Sequence, residues 1–171
     1  MANIVMVIAH SMFRDEELFD TKAELERNGH HVTLASSIIG ICDGSRGGTA
    51  VAEILVEDIN LSEVDALVFI GGPGASEYFE NKIIHKLARE IVESDKLLAA
   101  ICIAPVLLAK ADLLDGKKAT VFSSGAKVIE ENGALYTGDA VTVDGKIVTG
   151  NGPKSAVAFA KKIAEILDNS K

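Results

Sequence analysis

The sequence predicts an α/β fold in which a doubly wound, mainly parallel sheet carries helices on both faces. Three observations predict it: short, nearly continuous apolar runs, amphipathic helical segments that alternate with them, and turn residues at the junctions. Strands buried on both faces have unbroken apolar sequences, whereas a helix packed on a sheet has apolar residues every three to four positions. The 171 residues contain no linker or repeat, so we expect one domain over residues 1–171.

The predicted elements alternate along the whole chain. The strands are the short, apolar segments 4–8, 32–35, 66–70, 96–102 and 120–122. The helices have apolar residues at helical spacing and lie at 15–28, 81–93, 106–111, 126–131 and 155–167. Turn-rich sequences at 43–48 and 144–145 predict two hairpins, one within residues 38–55 and one within residues 141–148.

Composition and charge argue against several classes of function. A net charge of −8 and a pI near 5.0 disfavour nucleic-acid binding, which needs a basic surface. No apolar run approaches the roughly 18 residues that span a bilayer. The amino terminus enters a strand without a basic signal-peptide region, so we expect a cytoplasmic protein. Two cysteines form no disulfide framework, and Cys42, in the first hairpin, is interpreted as structural. We expect neither a cofactor nor a metal ion.

Cys102 has the sequence context most indicative of chemistry. It ends a buried strand and is followed by Ile-Ala-Pro105, and proline suits the first turn of a helix. A sharp strand-to-helix turn with small residues at Ala100 and Ala104 is typical of a nucleophile elbow. A nearby helix N-terminus favours thiolate over thiol, so we expect a lowered pKa for Cys102. The alternative is an inert buried cysteine.

Glu17 is the second candidate residue. It shares an apolar stripe of the first helix with Thr21 and Leu25, whereas Glu16 lies on the charged face. A buried carboxyl group without a cationic partner tends to keep its proton, and a neutral Glu17 can donate a hydrogen bond to a Cys102 thiolate. The alternative is an ordinary first-turn acid that interacts with the helix dipole.

The glycine-rich turn Gly71-Gly-Pro-Gly74 is the third feature. It lacks the third glycine of a dinucleotide-binding fingerprint, since Glu77 occupies that position. Glycines allow the backbone to approach the elbow, so the N–H groups of Gly72 and Ile103 are candidates for an oxyanion hole at Cys102. A plain turn is the alternative.

In combination, six segments make the chain similar, over essentially its full length, to the DJ-1/PfpI superfamily. These segments are 16–18, 26–35, 64–72, 100–105, 113–119 and 148–153. The resemblance implies a flavodoxin-like fold, a nucleophilic and oxidation-sensitive Cys102, and Glu17 as the acid hydrogen-bonded to it. It also implies backbone donors from Gly72 and Ile103, and self-association as a homodimer or a larger assembly.

Three positions depart from the family pattern. Protease-like PfpI members have a histidine directly after the cysteine, where this chain has Ile103. A histidine of DJ-1 is absent near Leu135, and an anion-binding arginine of DJ-1 is replaced by Asn151.

Two further residues are accessory candidates. The pair Ser45-Arg46 resembles a Ser-Arg pair of DJ-1 whose arginine reaches the partner subunit's site, so Arg46 is a candidate source of positive charge across a dimer. His10 follows the first strand, at the edge of the sheet where Cys102 is expected, and is a candidate base. The remaining histidines lie on helix or turn positions away from the elbow.

These residues predict either a glyoxalase- or deglycase-type enzyme or an oxidative-stress-responsive thiol protein. In the first, Cys102 forms a hemithioacetal with a small α-oxoaldehyde while Glu17 transfers a proton. In the second, peroxide oxidises Cys102. A PfpI-type cysteine peptidase or amidase is the alternative, and Ile103 disfavours it because no adjacent histidine can protonate a leaving amine. The expected partners are a small carbonyl compound or peroxide and further copies of the chain, not nucleic acid or a membrane.

Overall fold

The computed structural model describes residues 1–170. In this range the strands are β1 (Asn3–Val7), β2 (Ser11–Phe13), β3 (His31–Ser36), β4 (Gly40–Gly44), β5 (Thr49–Ala52), β6 (Ile54–Leu55), β7 (Ala66–Phe69), β8 (Leu97–Ile101), β9 (Lys118–Ala119), β10 (Leu135–Tyr136), β11 (Val141–Asp144) and β12 (Ile147–Gly150). The α-helices are α1 (Asp15–Arg27), α2 (Lys82–Glu93), α3 (Pro105–Lys110), α4 (Ala126–Glu131) and α5 (Ala156–Asn169).

Seven of these strands form the central sheet in the order β11-β12-β8-β7-β1-β3-β6. Neighbours are parallel except in the β11–β12 hairpin. The register is continuous across the centre, where Met6 lies between Leu34 of β3 and Val68 of β7. All five residues of β8 are buried, which explains its unbroken apolar sequence.

Helices cover both faces of the sheet, as predicted. Successive side chains of a strand point to opposite faces. Ile4 and Met6 of β1 therefore join one apolar cluster with residues of α1 and α5. Val5 and Val7 join a second cluster with residues of α2 and α3. The mostly parallel α/β architecture predicted from the sequence is thus confirmed.

Two small sheets accompany the central one. The predicted first hairpin is present as β4 and β5, which pair antiparallel and form a three-stranded sheet with β2. The second small sheet pairs β9 with β10. The strand predicted at 120–122 is wrong, because pairing in β9 ends at Ala119. Beyond it the Thr120 N–H donates to Thr149 Oγ1 at 2.9 Å, and the Phe122 N–H donates to the Cys102 carbonyl at 2.8 Å.

The topology gathers several loops at one edge of the sheet. Parallel strands β1, β7, β8 and β12 all end there. β1 lies between β3 and β7 in the sheet, so the connections of the chain run to opposite sides of β1. Ligands of open α/β sheets bind beyond the carboxyl ends of the strands, at this kind of switch point. No helix within residues 1–170 is long and apolar enough to cross a membrane.

Candidate active site

Cys102 lies at the turn between β8 and α3 in a left-handed conformation, with φ of 64°. Such a conformation costs a non-glycine residue roughly 1–3 kcal/mol and needs support from its surroundings. The Cys102 N–H donates to the Gly150 carbonyl at 2.9 Å, and its own carbonyl accepts from Phe122. Both backbone groups are therefore fixed, and the strand-to-helix elbow predicted at Cys102 is present.

Two glycines let the loop after β7 reach this elbow. A Cβ atom at Gly71 would lie 2.7 Å from Cys102 Cβ and 2.7 Å from Glu17 Oε1. Gly72 has φ of 108°, which favours glycine, and a Cβ there would lie 2.6 Å from the Met12 carbonyl oxygen. Side chains are thus excluded at both positions, and the backbone can approach the thiol.

Two backbone N–H groups, those of Ile103 and Gly72, lie near the Cys102 sulfur and lower the pKa of the thiol. The sequence predicted that these two donors converge at Cys102, and the structure brings them together there. Neutral hydrogen-bond donors aimed at one atom stabilise negative charge on it or on an oxygen that takes its place.

Glu17 approaches the thiol from α1. Its side chain has no exposed surface, as the stripe with Thr21 and Leu25 predicted. Oε1 accepts a hydrogen bond from the Gly71 N–H at 3.0 Å. Oε2 is buried and has no hydrogen-bond partner among residues 1–170. The remaining polar neighbour of the carboxyl group is the Cys102 thiol, and the interaction between the two groups shifts the pKa of each.

The two groups perturb each other's ionisation. Burial raises the pKa of Glu17 from 4.5 to about 7, while hydrogen bonds with Cys102 and Gly71 oppose the rise. Burial also raises the pKa of the Cys102 thiol to about 12, and the charge and hydrogen bond of Glu17 add to the effect. The backbone donors lower that pKa by less than burial and Glu17 raise it.

The lowered pKa expected for Cys102 is therefore wrong. The N-terminus of the following helix was expected to lower this pKa, but α3 has only six residues. Removal of the thiol from water and a carboxylate beside it both disfavour a second negative charge. From about pH 7 to about pH 12 the pair holds one proton and one negative charge. The site is thus suited to remove the thiol proton while the sulfur forms a bond, with the Glu17 carboxylate as the base.

Arg14 is a charged residue of this site that the sequence argument did not single out. Arg14 lines the cavity beside Cys102, and its guanidinium forms an ion pair with Glu16. The hydrogen bond with Glu16 is the main cause that raises the pKa of Arg14. The negative charges of Glu17 and Cys102 raise it further, so this cation acts on the reactive pair. The signal available in the sequence was the spacing of three residues between Arg14 and Glu17 at the start of α1.

The thiol opens into a cavity of about 750 Å³. Apolar and aromatic side chains form part of its wall, among them Val121, Phe122 and Tyr136. Polar groups are contributed by other loops, including Asn151 and Lys154 after β12. The volume and the mixture of apolar walls with a few polar groups are typical of a small-molecule site.

The two accessory candidates lie elsewhere in this chain. Arg46 is exposed in the β4–β5 turn, and its N–H donates to Asp15 Oδ1 at 2.9 Å. The His10 N–H donates to Glu77 Oε2 at 3.0 Å. Neither residue lines the cavity, and none of the cavity-lining residues within 1–170 is a histidine.

The three departures from the family pattern are also located. Ile103 and Asn151 both line the cavity, whereas Leu135 is 55% exposed on β10. Ser155 Oγ donates to Asn151 Oδ1 at 2.6 Å, so this side chain is fixed as a neutral group. In the part of the chain that the structure describes, no cluster of three or more His, Cys, Asp or Glu side chains is arranged to hold a metal ion.

Comparisons with known proteins agree on the fold and the family. A sequence model of the DJ-1/PfpI family matches residues 2–166. The chain is 36% identical over 172 residues to an uncharacterised protein of Methanocaldococcus jannaschii, which covers 99% of this chain and 84% of that protein. Among solved structures, a ThiJ/PfpI domain protein from Brachyspira murdochii has a TM-score of 0.96 at 30% identity, covering 98% of this chain and 96% of that one.

Two relatives have names that describe an activity. A Pyrococcus abyssi protein named a deglycase is 28% identical over 163 residues, which covers 95% of this chain and 98% of that protein. A Caenorhabditis elegans protein named a glutathione-independent glyoxalase is 29% identical over 152 residues, which covers 89% of this chain and 81% of that protein.

Proposed function

Because the chain belongs to the DJ-1/PfpI family, we propose that it is a cysteine-dependent enzyme of the glyoxalase or deglycase type that acts on small reactive carbonyl compounds. The observation that carries the proposal is the Cys102–Glu17 pair, which shares one proton near neutral pH at the base of a cavity of about 750 Å³. The names of the Pyrococcus abyssi and Caenorhabditis elegans relatives support the same class of substrate.

The proposed reaction begins with addition of the thiol to an aldehyde. As the Cys102 sulfur forms a bond to the carbonyl carbon, its proton passes to the Glu17 carboxylate and the C=O π electrons pass to oxygen. The N–H groups of Gly72 and Ile103 stabilise the developing oxyanion. Glu17 then returns the proton to that oxygen, which completes a hemithioacetal and restores the carboxylate.

An α-oxoaldehyde allows the reaction to continue without an oxidant. The Glu17 carboxylate removes the C1 proton of the hemithioacetal to give an enediol, and a proton is returned at C2. The result is a thioester between Cys102 and a 2-hydroxy acid. Water cleaves the thioester, releases the acid and restores the thiol, so the net change is addition of one water molecule to the oxoaldehyde.

The test is turnover of methylglyoxal by the purified chain, followed as loss of substrate and formation of lactate. We expect Cys102→Ala to abolish turnover, because no other nucleophile is placed beside Glu17. Cys42→Ala is the matched control and should retain activity. Equal turnover by the wild type and Cys102→Ala would contradict the proposal.

An oxidation-responsive thiol is the second candidate function. It is favoured by the two backbone donors at the sulfur and by the charge of Arg14, which together would stabilise an oxidised, anionic sulfur. Peroxide would convert the thiol to sulfenic acid and water, and a second equivalent would give sulfinic acid. Mass spectrometry after mild peroxide treatment should find the added oxygen on Cys102 and not on Cys42. Equal modification of both cysteines would contradict this role.

A PfpI-type peptidase or amidase has less support. Peptide cleavage needs an acid that protonates the leaving amine, and Ile103 replaces the adjacent histidine of that class. Hydrolysis of a fluorogenic peptide that disappears in Cys102→Ser would favour this function over the carbonyl chemistry.

We also propose that the chain self-associates through its β4–β5 sheet. Ile41 and Val51 are paired neighbours in this sheet and are 66% and 58% exposed, and Met12 of β2 is 44% exposed. Exposed apolar patches of this kind mark protein interfaces. Arg46 lies in the turn of the same hairpin, where a second copy would bring it near the partner's site. Light scattering should show an oligomer that Ile41→Lys dissociates, and a monomeric wild type would contradict the proposal.

A further inference from the structure

We propose that the cavity selects carbonyl compounds that carry a carboxylate or phosphate group, and that Lys154 and Arg14 bind this anionic group. The proposal rests on the proposed function and specifies its substrate class. Neither residue belongs to the predicted catalytic set, and both contribute cationic groups to the cavity that contains Cys102.

The charge of the cavity differs from that of the rest of the chain. The sequence has 25 acidic and 17 basic residues. None of the seventeen residues that line the cavity is acidic, whereas two of them, Arg14 and Lys154, are basic. Glu17 is fully buried behind the thiol and is not part of the lining. Basic residues without acidic ones in the lining of a cavity attract anionic ligands and raise their local concentration.

Lys154 is available to bind a ligand. It lies in the 3₁₀ turn Pro153–Ser155, which directly follows the loop after β12, and its side chain is exposed. Within residues 1–170 it takes part in none of the observed ion pairs. The turn is fixed by the Ser155 N–H, which donates to the Gly152 carbonyl at 3.0 Å. An unpaired ammonium group on a fixed turn can form a charge-assisted hydrogen bond with a substrate anion.

Arg14 supplies the second cation, from the loop before α1. Its backbone N–H donates to the Gly71 carbonyl at 3.0 Å, which holds it beside the glycine loop. Its side chain is 27% exposed, and its partner Glu16 is 41% exposed. The guanidinium therefore keeps access to the cavity while it is oriented by Glu16, and its planar donors suit a carboxylate or phosphate.

The cavity is also larger than a three-carbon aldehyde requires. A volume of about 750 Å³ falls in the range of sites for much larger ligands. A substrate whose carbonyl group reaches Cys102 can therefore place a charged group elsewhere in the same cavity. Lys154 and Arg14 favour a carboxylate or phosphate group at that place.

The test compares two alkylating reagents on the wild-type chain. Iodoacetate and iodoacetamide both transfer a two-carbon group to sulfur with loss of iodide, but only iodoacetate carries a negative charge. We expect the iodoacetate-to-iodoacetamide rate ratio at Cys102 to exceed that of N-acetylcysteine in the same buffer. Lys154→Gln should lower this ratio about two- to fivefold, the effect of losing one exposed ion pair. Lys161→Gln removes an exposed charge from α5 outside the cavity and should leave the ratio unchanged.

A protection experiment distinguishes the two anion classes. Glyoxylate and glyceraldehyde 3-phosphate should slow alkylation of Cys102 by iodoacetamide more than their neutral counterparts methylglyoxal and glyceraldehyde do. Protection by one anionic aldehyde alone identifies the class that the cavity prefers. Equal protection by charged and neutral aldehydes, or a rate ratio that Lys154→Gln does not change, would overturn the inference.

A third measurement separates this inference from the proposed function. Inorganic phosphate titrated into Cys102→Ala should shift the amide NMR signals of the Gly152–Ser155 turn, and the shifts should be lost when Lys154→Gln is added. Phosphate binding together with an inactive wild type would leave the anion site intact and refute the carbonyl chemistry. Methylglyoxal turnover without any phosphate binding would support the carbonyl chemistry and refute the anion site.

Discussion

The two cysteines of this chain are both buried, and burial raises the pKa of each thiol. Cys42 lies in the middle of β4 in extended backbone, and its thiol approaches the Gly40 carbonyl at 3.7 Å. Cys102 lies in a strained turn, has two backbone N–H groups near its sulfur and contacts the Glu17 carboxyl group. The difference between the two sites is thus the presence of a base and an open cavity, not the depth of burial.

The reactivity proposed for Cys102 is better explained by the neighbouring carboxyl group than by a lowered thiol pKa. A cysteine that is a thiolate at neutral pH needs a thiol pKa near or below 7, whereas the pKa of both thiols is raised here. Cys102 has instead a carboxyl group with a pKa of about 7, which can accept the thiol proton when an electrophile arrives. Cys42 has no carboxyl group in hydrogen-bond contact with its thiol within residues 1–170. The proposed function therefore assigns the reactivity of Cys102 to this base and expects Cys42, which lacks one, to be inert.

The largest expected effect comes from Glu17→Gln, which keeps the shape of the side chain and removes the base. We expect methylglyoxal turnover to fall by about 10²- to 10⁴-fold, the usual contribution of general acid–base catalysis. Wild-type turnover should rise with pH through about 7, as the Glu17 carboxyl group loses its proton, and the variant should lack this rise. Turnover and alkylation of Cys102 measured from pH 5 to 9 would show both effects.

Glu26→Gln is the matched control, since it is the same change at an exposed residue of α1 that pairs with Lys22 and not with Arg14. It should keep the rise near pH 7. If Glu17→Gln retained the wild-type profile, the difference between Cys102 and Cys42 would have to come from the elbow alone.

Glu17→Gln, which should lower turnover, should raise the stability of the fold at alkaline pH. Because the folded state raises the pKa of Glu17 from 4.5 to about 7, it binds this proton more tightly than the unfolded chain does. The associated stability is complete below pH 4.5 and is lost as the pH rises to about 7, by about 3 kcal/mol in all. Glu17→Gln should therefore be more stable than the wild type at pH 8, and the gain should shrink at pH 5. Urea unfolding at the two pH values measures this difference, and an equal effect at both would contradict it.

Most features of the Cys102 site could be predicted from the sequence. The spacing of Glu17, Thr21 and Leu25 was sufficient to predict a buried carboxyl group on α1, because helical periodicity is a local property. The strand that ends at Cys102 and the glycines of the next loop were recognised for the same reason. The convergence of Gly72 and Ile103 on one atom also followed, since neighbouring parallel strands end at the same edge.

The features that could not be predicted depend on tertiary contacts. The pKa of Cys102 is set by desolvation and by a carboxyl group 85 positions earlier in the chain, and both exceed the effect of a short helix. The strand predicted at 120–122 failed because its backbone groups bond to Thr149 and Cys102 instead of continuing β9. Arg14 was missed because only the contact of its backbone with the glycine loop after β7 brings it to the cavity.

Gly71→Ala tests the contact between the base and the thiol. The added methyl group would lie 2.7 Å from Cys102 Cβ, Glu17 Oε1 and the Ile101 carbonyl oxygen, and one of these is rigid backbone. We expect a loss of stability of about 1–3 kcal/mol, typical of overpacking a buried site. Because Glu17 must also move away, Cys102 alkylation should slow towards the rate at Cys42. Gly145→Ala is the control for backbone strain without a clash: this turn residue has φ of 61° and open space around the added atom, so the variant should lose stability but leave the alkylation of Cys102 unchanged. An active, fully stable Gly71→Ala would show that the pair does not need this close packing.

The smallest expected effect is that of Arg14→Gln, which sharpens the comparison without removing either reactive group. The charge of Arg14 lowers the pKa of Glu17, so its loss should move the rise in turnover to higher pH. Turnover of a neutral aldehyde at pH 9, where Glu17 is ionised in both proteins, should change by no more than about twofold to fivefold, since one partly exposed charge is lost. Lys22→Gln, at a partly exposed residue of α1 that pairs with Glu26, is the control and should leave the profile in place. A profile that does not move, or that moves to lower pH, would show that the charge of Arg14 does not act on Glu17, and this cation would then have no part in the difference between Cys102 and Cys42.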